Sequence, residues 1–154
     1  MLNSIVIKPI STEDYQFDFD IKKLILMEYI KKTWGKWNEE QQIEFYKKNF
    51  KLENNYVILY DSIKIGWLEI IEMDTFIEIN QIFILPEYQG KGIGSKIIMD
   101  IIEKGITGKK EVKLQVLKCN NKALKLYKKL GFTEYNETKT HYQLKKMNNI
   151  IIGI

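Results

Sequence analysis

Hydrophobic and polar positions along the chain follow two alternating periods, one typical of strands and the other of helices. Short apolar or alternating runs predict the strands, and apolar positions three or four residues apart predict the helices. The resulting order is β-α-α-β-β-β-α-β-α-β-β, with no internal repeat and no low-complexity linker. We therefore expect one α/β domain that spans residues 1–154. The predicted strands cover residues 4–10, 56–60, 64–72, 76–84, 111–117, 133–136 and 140–145, and the predicted helices cover about 12–32, 39–49, 92–104 and the segment between Asn120 and Gly131.

A glycine-rich segment follows the longest apolar strand and opens directly into a predicted helix. Its sequence is Gln89-Gly90-Lys91-Gly92-Ile93-Gly94-Ser95. The first main-chain N–H groups of a helix have no intrahelical partner, and glycine lets an anion approach them closely. The spacing is neither G-x-x-x-x-G-K-[ST] nor G-x-G-x-x-G. We therefore interpret the segment as a seat for a diphosphate; the alternative is a turn that only starts the helix.

A second motif lies about 25 residues further on. Asn120 or Asn121 is a suitable N-cap for a short helix, and Gly131 is a suitable C-terminal stop. Between them, the apolar positions lie at i, i+3, i+4 and i+7, which places them on one helical face. These positions are Ala123, Leu126, Tyr127 and Leu130.

The two motifs together resemble those of the GNAT superfamily of N-acetyltransferases. The first resembles its Q/R-x-x-G-x-G/A loop, and the second resembles N-x-x-A-x-x-L-Y-x-K-x-G-F. The resemblance covers residues 5–147. It implies an α/β fold with a mixed, mostly antiparallel seven-stranded sheet, flanking helices, and fourth and fifth strands that splay apart.

The resemblance also implies a set of residues that bind acetyl-coenzyme A. The pantetheine arm would enter the gap between the splayed strands and pair with the main chain of the fourth strand, where the side chains are core. Asn120 would also contact the pantetheine, and Tyr127 would approach the sulfur. The expected residues are Ile82, Phe83, Ile84, Gln89, Gly90, Lys91, Gly92, Ile93, Gly94, Ser95, Asn120 and Tyr127.

Acetyl transfer to an amine requires a neutral nucleophile and a proton donor for the departing thiolate. In the histone-acetyltransferase branch of the superfamily, the catalytic glutamate has the same offset from the loop as Glu78 has from Gln89. Glu78 is therefore the candidate base, with Glu69 and Glu72 in reserve; the alternative is an exposed strand glutamate. Another branch has a glutamate at the position of Gln115, and an amide cannot serve as a base. Tyr127 is the candidate acid; the alternative is a packed aromatic side chain.

The acceptor is less well defined by the sequence. In this family, acceptor sites are usually built by the first two helices, the loop between them and the last strands. Trp34, Trp37 and Tyr29 are the candidate substrate residues, because two indoles around Gly35 would suit a cationic amine. The alternative is a hydrophobic lid that joins the helices. The acceptor amine could belong to a small molecule or to a peptide. Two alternative functions are transfer of another acyl group and a non-catalytic domain that binds or senses acyl-CoA.

The amino-acid composition limits the expected partners, metal sites and cellular location of the protein. All 24 basic residues are lysine and the net charge is +4, which is typical of an AT-rich, bacterial genome and does not favour nucleic-acid binding. With one cysteine, Cys119, and one histidine, His141, we expect no metal site. The chain begins without a signal-peptide pattern and has no long apolar run, so we expect a cytoplasmic protein that does not enter a membrane. For the apolar segment 148–154 we expect packing on the sheet, packing on a second subunit in a homodimer, or poor order.

Overall fold

A computed structural model describes residues 4–146 of the chain. Its elements follow the predicted order, and several bounds coincide with the predicted ones. The strands are β1 (Ile5–Pro9), β2 (Asn55–Tyr60), β3 (Ile63–Glu72), β4 (Phe76–Ile84), β5 (Glu111–Leu117), β6 (Thr133–Glu137) and β7 (His141–Lys146). The helices are α1 (Tyr15–Trp34), α2 (Glu39–Asn49), α3 (Ile93–Thr107) and α4 (Asn121–Lys129), with short 3₁₀ turns at Thr12–Asp14 and Pro86–Tyr88.

The strands form one seven-stranded sheet in the order β1-β2-β3-β4-β5-β7-β6. β1 with β2, β2 with β3, β5 with β7 and β6 with β7 pair antiparallel. β4 and β5 pair parallel, from Phe76 opposite Glu111 to Ile79 opposite Leu114. The predicted mixed α/β fold with a seven-stranded sheet and flanking helices is therefore confirmed, whereas the splay of β4 and β5 stays a prediction.

Turns and helix ends occur where the sequence signals them. Gly35 ends α1 in the left-handed region at φ 88°, which breaks the helix at the predicted segment. The Asn38 side chain accepts a hydrogen bond from the Gln41 N–H at 3.1 Å and caps α2. Asp61 and Ser62 both have positive φ, as a two-residue hairpin between β2 and β3 requires.

Two compact units are distinguished along the chain, and the first comprises residues 4–70 and 81–93 of the described part. Its core cluster contains Ile10, Ile21, Val57, Trp67 and Phe83. Residues 65–68 of β3 are all buried, so this strand lacks the alternation of a half-exposed strand. At Gly66 an added Cβ would lie 2.4 Å from the Phe83 carbonyl oxygen, so the backbone there leaves no room for a side chain.

The second unit comprises residues 71–80 and 94–146 of the described part. The buried positions of α3 follow the helical period at 97, 98, 101 and 102, and those of β5 alternate at 112, 114 and 116. α3 approaches β5 closely, since a Cβ on Gly105 would lie 2.9 Å from Cγ2 of Val112. The single-domain prediction for residues 1–154 stays a prediction.

Two further predictions concern the ends of the chain and the membrane. The apolar segment 148–154 lies outside the described residues, and so does the role predicted for it. Among residues 4–146, none of the helices combines the length and the apolar character that a membrane span needs.

Candidate functional site

The glycine-rich loop has a backbone that only glycine adopts readily. After the turn at Pro86–Tyr88, Gly90 has φ 74° and Gly92 has φ 82°, both in the left-handed region. α3 then begins at Ile93. A Cβ built on Gly90, Gly92 or Gly94 would meet no atom within 4 Å, so the loop has open space at each glycine.

The side chains of the loop have more specific partners than the sequence suggests. The Gln89 amide donates a hydrogen bond from Nε2 to the carbonyl oxygen of Ile84 at 2.8 Å. The Lys91 ammonium lies 5.4 Å from the centre of the Tyr88 ring. Ile93 is buried, so its side chain belongs to the core and only its main chain is available to a ligand. Gln89 therefore ties the loop to the end of β4.

β4 carries the predicted pantetheine partners along its second half. Phe83 is buried in the core cluster, as expected, whereas Ile82 and Ile84 are half-buried. One lone pair of the Ile84 carbonyl is used by Gln89, and a carbonyl oxygen has a second one.

α4 holds Asn120 and Tyr127 in a defined local geometry. The Asn120 side chain accepts a hydrogen bond from the Ala123 N–H at 3.1 Å, which is the predicted N-cap. Gly131 has φ 97°, and the Phe132 N–H bonds back to the Tyr127 carbonyl at 3.0 Å. The Tyr127 ring packs against Phe132 with centroids 6.1 Å apart. Burial raises the pKa of Tyr127 to about 12, so its hydroxyl is a proton-bearing donor at any physiological pH.

Asn120 has a testable structural role beside its predicted contact with the cofactor. We expect Asn120→Ala to lose about 1 kcal/mol of stability with the cap, a fall of about 2–4 °C in Tm. Asn120→Ser keeps a capping oxygen but not the amide. If the amide binds pantetheine, the serine variant should recover Tm and still show a raised KM for acetyl-CoA. Recovery of both quantities would limit Asn120 to the cap.

Glu78 lies on β4 directly opposite Lys113 of β5. Its chain neighbours Ile77 and Ile79 are buried, and Glu78 is half-buried, as the predicted alternation requires. The Lys113 ammonium lies 4.3 Å from the centre of the ring of Phe76. Phe76 is two residues before Glu78 on β4, so the two side chains are on the same face of the strand. Gln115 pairs opposite Gln143 of β7 and leaves no carboxylate at that position.

The three predicted substrate residues have different surroundings, and their role in binding an acceptor stays a prediction. Trp34 is exposed and contributes to a concavity of about 390 Å³ between the C-terminal end of α1 and the N-terminal half of α2. Trp37 instead donates from Nε1 to Glu39 at 2.7 Å, and the Tyr29 ring lies 5.9 Å from the Lys32 ammonium. The lining of the concavity consists of Ile30, Trp34, Lys36, Asn38, Gln41, Gln42 and Phe45.

The sequence interpretation missed a buried polar cluster on α1. Asp18 is 1% exposed and contacts Lys22 and Tyr46. The available signal was Asp18 itself, since it lies on the same helical face as the core residue Ile21. Within residues 4–146, by contrast, His, Cys, Asp and Glu side chains do not gather in a group of three that would suit a metal ion.

Comparison with known proteins identifies the family. The model of the acetyltransferase (GNAT) family matches residues 20–132. The chain belongs to this family. An uncharacterised N-acetyltransferase of Methanocaldococcus jannaschii is 31% identical over 109 residues, which cover 69% of this chain and 48% of that protein. The GNAT chain thus spans about half the length of this relative.

Two further proteins share more of their length with this GNAT chain. The spermidine N(1)-acetyltransferase of Escherichia coli strain K12 is 27% identical over 141 residues, 88% of this chain and 76% of that protein. The crystal structure of a PaiA N-acetyltransferase from Thermoplasma acidophilum, in complex with coenzyme A, superposes with a TM-score of 0.71. It is 20% identical and covers 94% of this chain and 99% of that one. At this identity the likeness establishes the fold alone.

Proposed function

We propose that this GNAT protein transfers an acetyl group from acetyl-CoA to a primary amine by direct attack. The observation that carries the proposal is the loop before α3, where left-handed Gly90 and Gly92 lead into the start of a helix. The first N–H groups of a helix have no intrahelical partner and suit an anion. Membership of the acetyltransferase family supports the same conclusion. The spermidine N(1)-acetyltransferase relative makes polyamines a first class of acceptor to examine.

The residues of the loop fit the diphosphate of acetyl-CoA. The open space at Gly92 and Gly94 is the space that a side chain would fill. Lys91 adds a positive charge beside it, and Ser95 adds a hydroxyl within the first turn of α3. Acetyl-CoA supplies an activated thioester; the chain supplies binding groups and proton transfer.

Two side chains of the second unit are proposed to handle protons. An alkylamine with a pKa near 10 is mostly protonated at neutral pH. We assign Glu78 to accept that proton, directly or through a water molecule. We assign Tyr127 to donate a hydrogen bond to the departing sulfur, because its hydroxyl stays protonated. Main-chain groups at the end of β4 would polarise the thioester carbonyl.

The direct test is release of free thiol from acetyl-CoA in the presence of a panel of alkylamines, polyamines and lysine peptides. The proposal requires release that depends on one class of acceptor and acetylated amine in equal amount. Binding of acetyl-CoA without any release would contradict catalysis and leave a binding domain. Transfer from succinyl-CoA in preference to acetyl-CoA would contradict the choice of acyl group.

Glu78→Gln should lower kcat/KM by about 10² at pH 7, the lower end for a positioned base. The effect should shrink as the pH approaches 10, because the free amine then needs no base. A pH–rate profile of both proteins with one alkylamine measures this. Asp100→Asn is the matched control, since Asp100 is exposed on α3 and pairs with Lys96. A pH-independent loss in Glu78→Gln would remove Glu78 from the base role.

A further inference from the structure

A carboxylate is buried on α1 with only part of its hydrogen-bonding capacity used. The Asp18 side chain is 1% exposed. Its Oδ2 accepts from the Lys22 ammonium at 2.9 Å and from the Tyr46 hydroxyl. Among the described residues, its Oδ1 is buried and has no hydrogen-bond partner. A buried unpaired carboxylate oxygen is unfavourable, so its retention calls for a function.

The Lys22 ammonium occupies a site that is shaped for an alkylammonium ion. It lies 5.2 Å from the centre of the Tyr46 ring and 5.5 Å from the centre of the Trp67 ring. Two aromatic faces and a carboxylate are the groups that recognise such a cation in proteins. We call Asp18, Lys22, Tyr46 and Trp67 the Asp18 cluster.

Lys22 is the most exposed member of the Asp18 cluster, so movement of its side chain would give a ligand access to Asp18. Its side chain is 20% exposed, whereas Asp18, Tyr46 and Trp67 are buried at 1%, 8% and 0% exposure. The lysine stem is flexible and brings its ammonium in from the surface. When another primary ammonium replaces it, the charge and the three N–H donors in the site are conserved.

We propose that the Asp18 cluster binds a primary alkylammonium group of a ligand in place of the Lys22 ammonium. In the acceptor, this group is the remote, unreacting end of a di- or polyamine, a statement that rests on the proposed function. Trp67 belongs to the same core cluster as Phe83, whose neighbours Ile82 and Ile84 are proposed to hold the pantetheine arm. The cluster therefore lies beside the part of β4 that is proposed to meet the cofactor.

The electrostatics of the cluster make this binding dependent on pH. Burial raises the pKa of Asp18 to about 6, the Lys22 charge opposes that rise, and the nearby Glu69 carboxylate adds to it. Within residues 4–146, the titratable groups that act on Asp18 are Lys22 on its own helix, Tyr46 on α2 and Glu69 on β3. An alkylamine stays protonated throughout this range. Its affinity should therefore fall as the pH is lowered from 7 through 6, where the carboxylate becomes neutral.

The test is calorimetric titration of 1,4-diaminobutane into the protein without acetyl-CoA, with 1-butanol as the uncharged control. We expect Lys22→Met, which keeps the stem and removes the competing ammonium, to bind the diamine about tenfold more tightly, a gain within the range of desolvated cation–π and charge contacts. Asp18→Asn, with or without Lys22→Met, should abolish measurable binding. Butanol should bind none of these proteins.

Other outcomes overturn the inference or separate it from the proposed function. Equal diamine affinity in the unaltered protein and Asp18→Asn would reduce the cluster to a structural ion pair. If Lys22→Met does not fold, the isosteric Asp18→Asn variant alone decides, with circular dichroism to confirm its fold.

Steady-state kinetics give a second readout. Asp18→Asn should raise the KM for 1,4-diaminobutane relative to the KM for n-butylamine. If the diamine binds in a way that depends on Asp18 but no acetyl transfer occurs, the ammonium site is supported and the proposed acetyltransferase activity is contradicted. If acetyl transfer occurs and the ratio of the two KM values does not depend on Asp18, the activity is supported and the ammonium site is contradicted.

Discussion

Tyr127→Phe is expected to lower kcat by about 10²–10³, the usual cost of removing one donor to developing negative charge. Burial places the pKa of this phenol near 12, above the value of about 8.5 for a thiol. Complete proton transfer to a free thiolate is therefore uphill. The contribution that remains is a hydrogen bond that strengthens as charge develops on sulfur, which favours the transition state over the bound substrate.

The variant should retain both its fold and its affinity for acetyl-CoA. The ring contact between Tyr127 and Phe132 survives in phenylalanine, because only the hydroxyl is removed. Pre-steady-state and steady-state kinetics, with calorimetric titration of acetyl-CoA, measure the two effects separately. Tyr135→Phe is the control, because Tyr135 is 44% exposed on β6. Loss of less than about threefold in kcat, or an equal loss in both variants, would exclude the proposed donor.

The high pKa of Tyr127 also fixes what the pH dependence can report. A phenol that titrates near 12 keeps its proton between pH 6 and pH 10. A fall in rate on the alkaline side of a pH profile below pH 10 therefore cannot come from Tyr127. An increase in rate as the pH rises on the acid side therefore reports deprotonation of the amine or of its catalytic base. The pH profile of Glu78→Gln can then be compared directly with that of the unaltered protein.

Local signals in the sequence predicted several helix boundaries, because each of these has a residue that enforces it, whereas the seven-stranded sheet was expected from the family resemblance. Asn38 and Asn120 cap their helices with side-chain oxygens, and Gly35 and Gly131 end theirs in the left-handed region. These are interactions between residues three or four apart, so a single sequence carries them. β3 was predicted at residues 64–72 although it lacks a regular alternation, because both of its faces are buried at residues 65–68.

The contacts of the Asp18 cluster were not predicted from the sequence because they are long-range. Tyr46 reaches Asp18 across 28 positions of the chain, and no local period encodes that contact. Trp34 and Trp37 look equivalent in sequence, but Gly35 turns the chain between them. Trp34 lines the concavity, whereas the Trp37 indole donates a hydrogen bond to Glu39. The loop glycines were recoverable because their conformational demand is intrinsic to the residue.

The second large effect is expected at Gly94, the second residue of α3. Gly94→Glu should weaken acetyl-CoA binding by more than about 10², because like charges brought together cost several kcal/mol. The same change should not harm the fold. Gly94 has no positive φ, and its Cβ would meet nothing within 4 Å. An acidic side chain in the first turn of a helix is favourable.

Stability and function should therefore move in opposite directions in this variant, which a damaged fold cannot imitate. Thermal unfolding should give a Tm equal to or above that of the unaltered protein, while added acetyl-CoA no longer raises it. Met99→Glu introduces the same charge at an exposed position of α3, 52% exposed, and should keep the cofactor response within about twofold, since exposed charges are screened by solvent. If Gly94→Glu still responds to acetyl-CoA as the unaltered protein does, the diphosphate does not lie at the start of α3, and the proposed cofactor site is wrong.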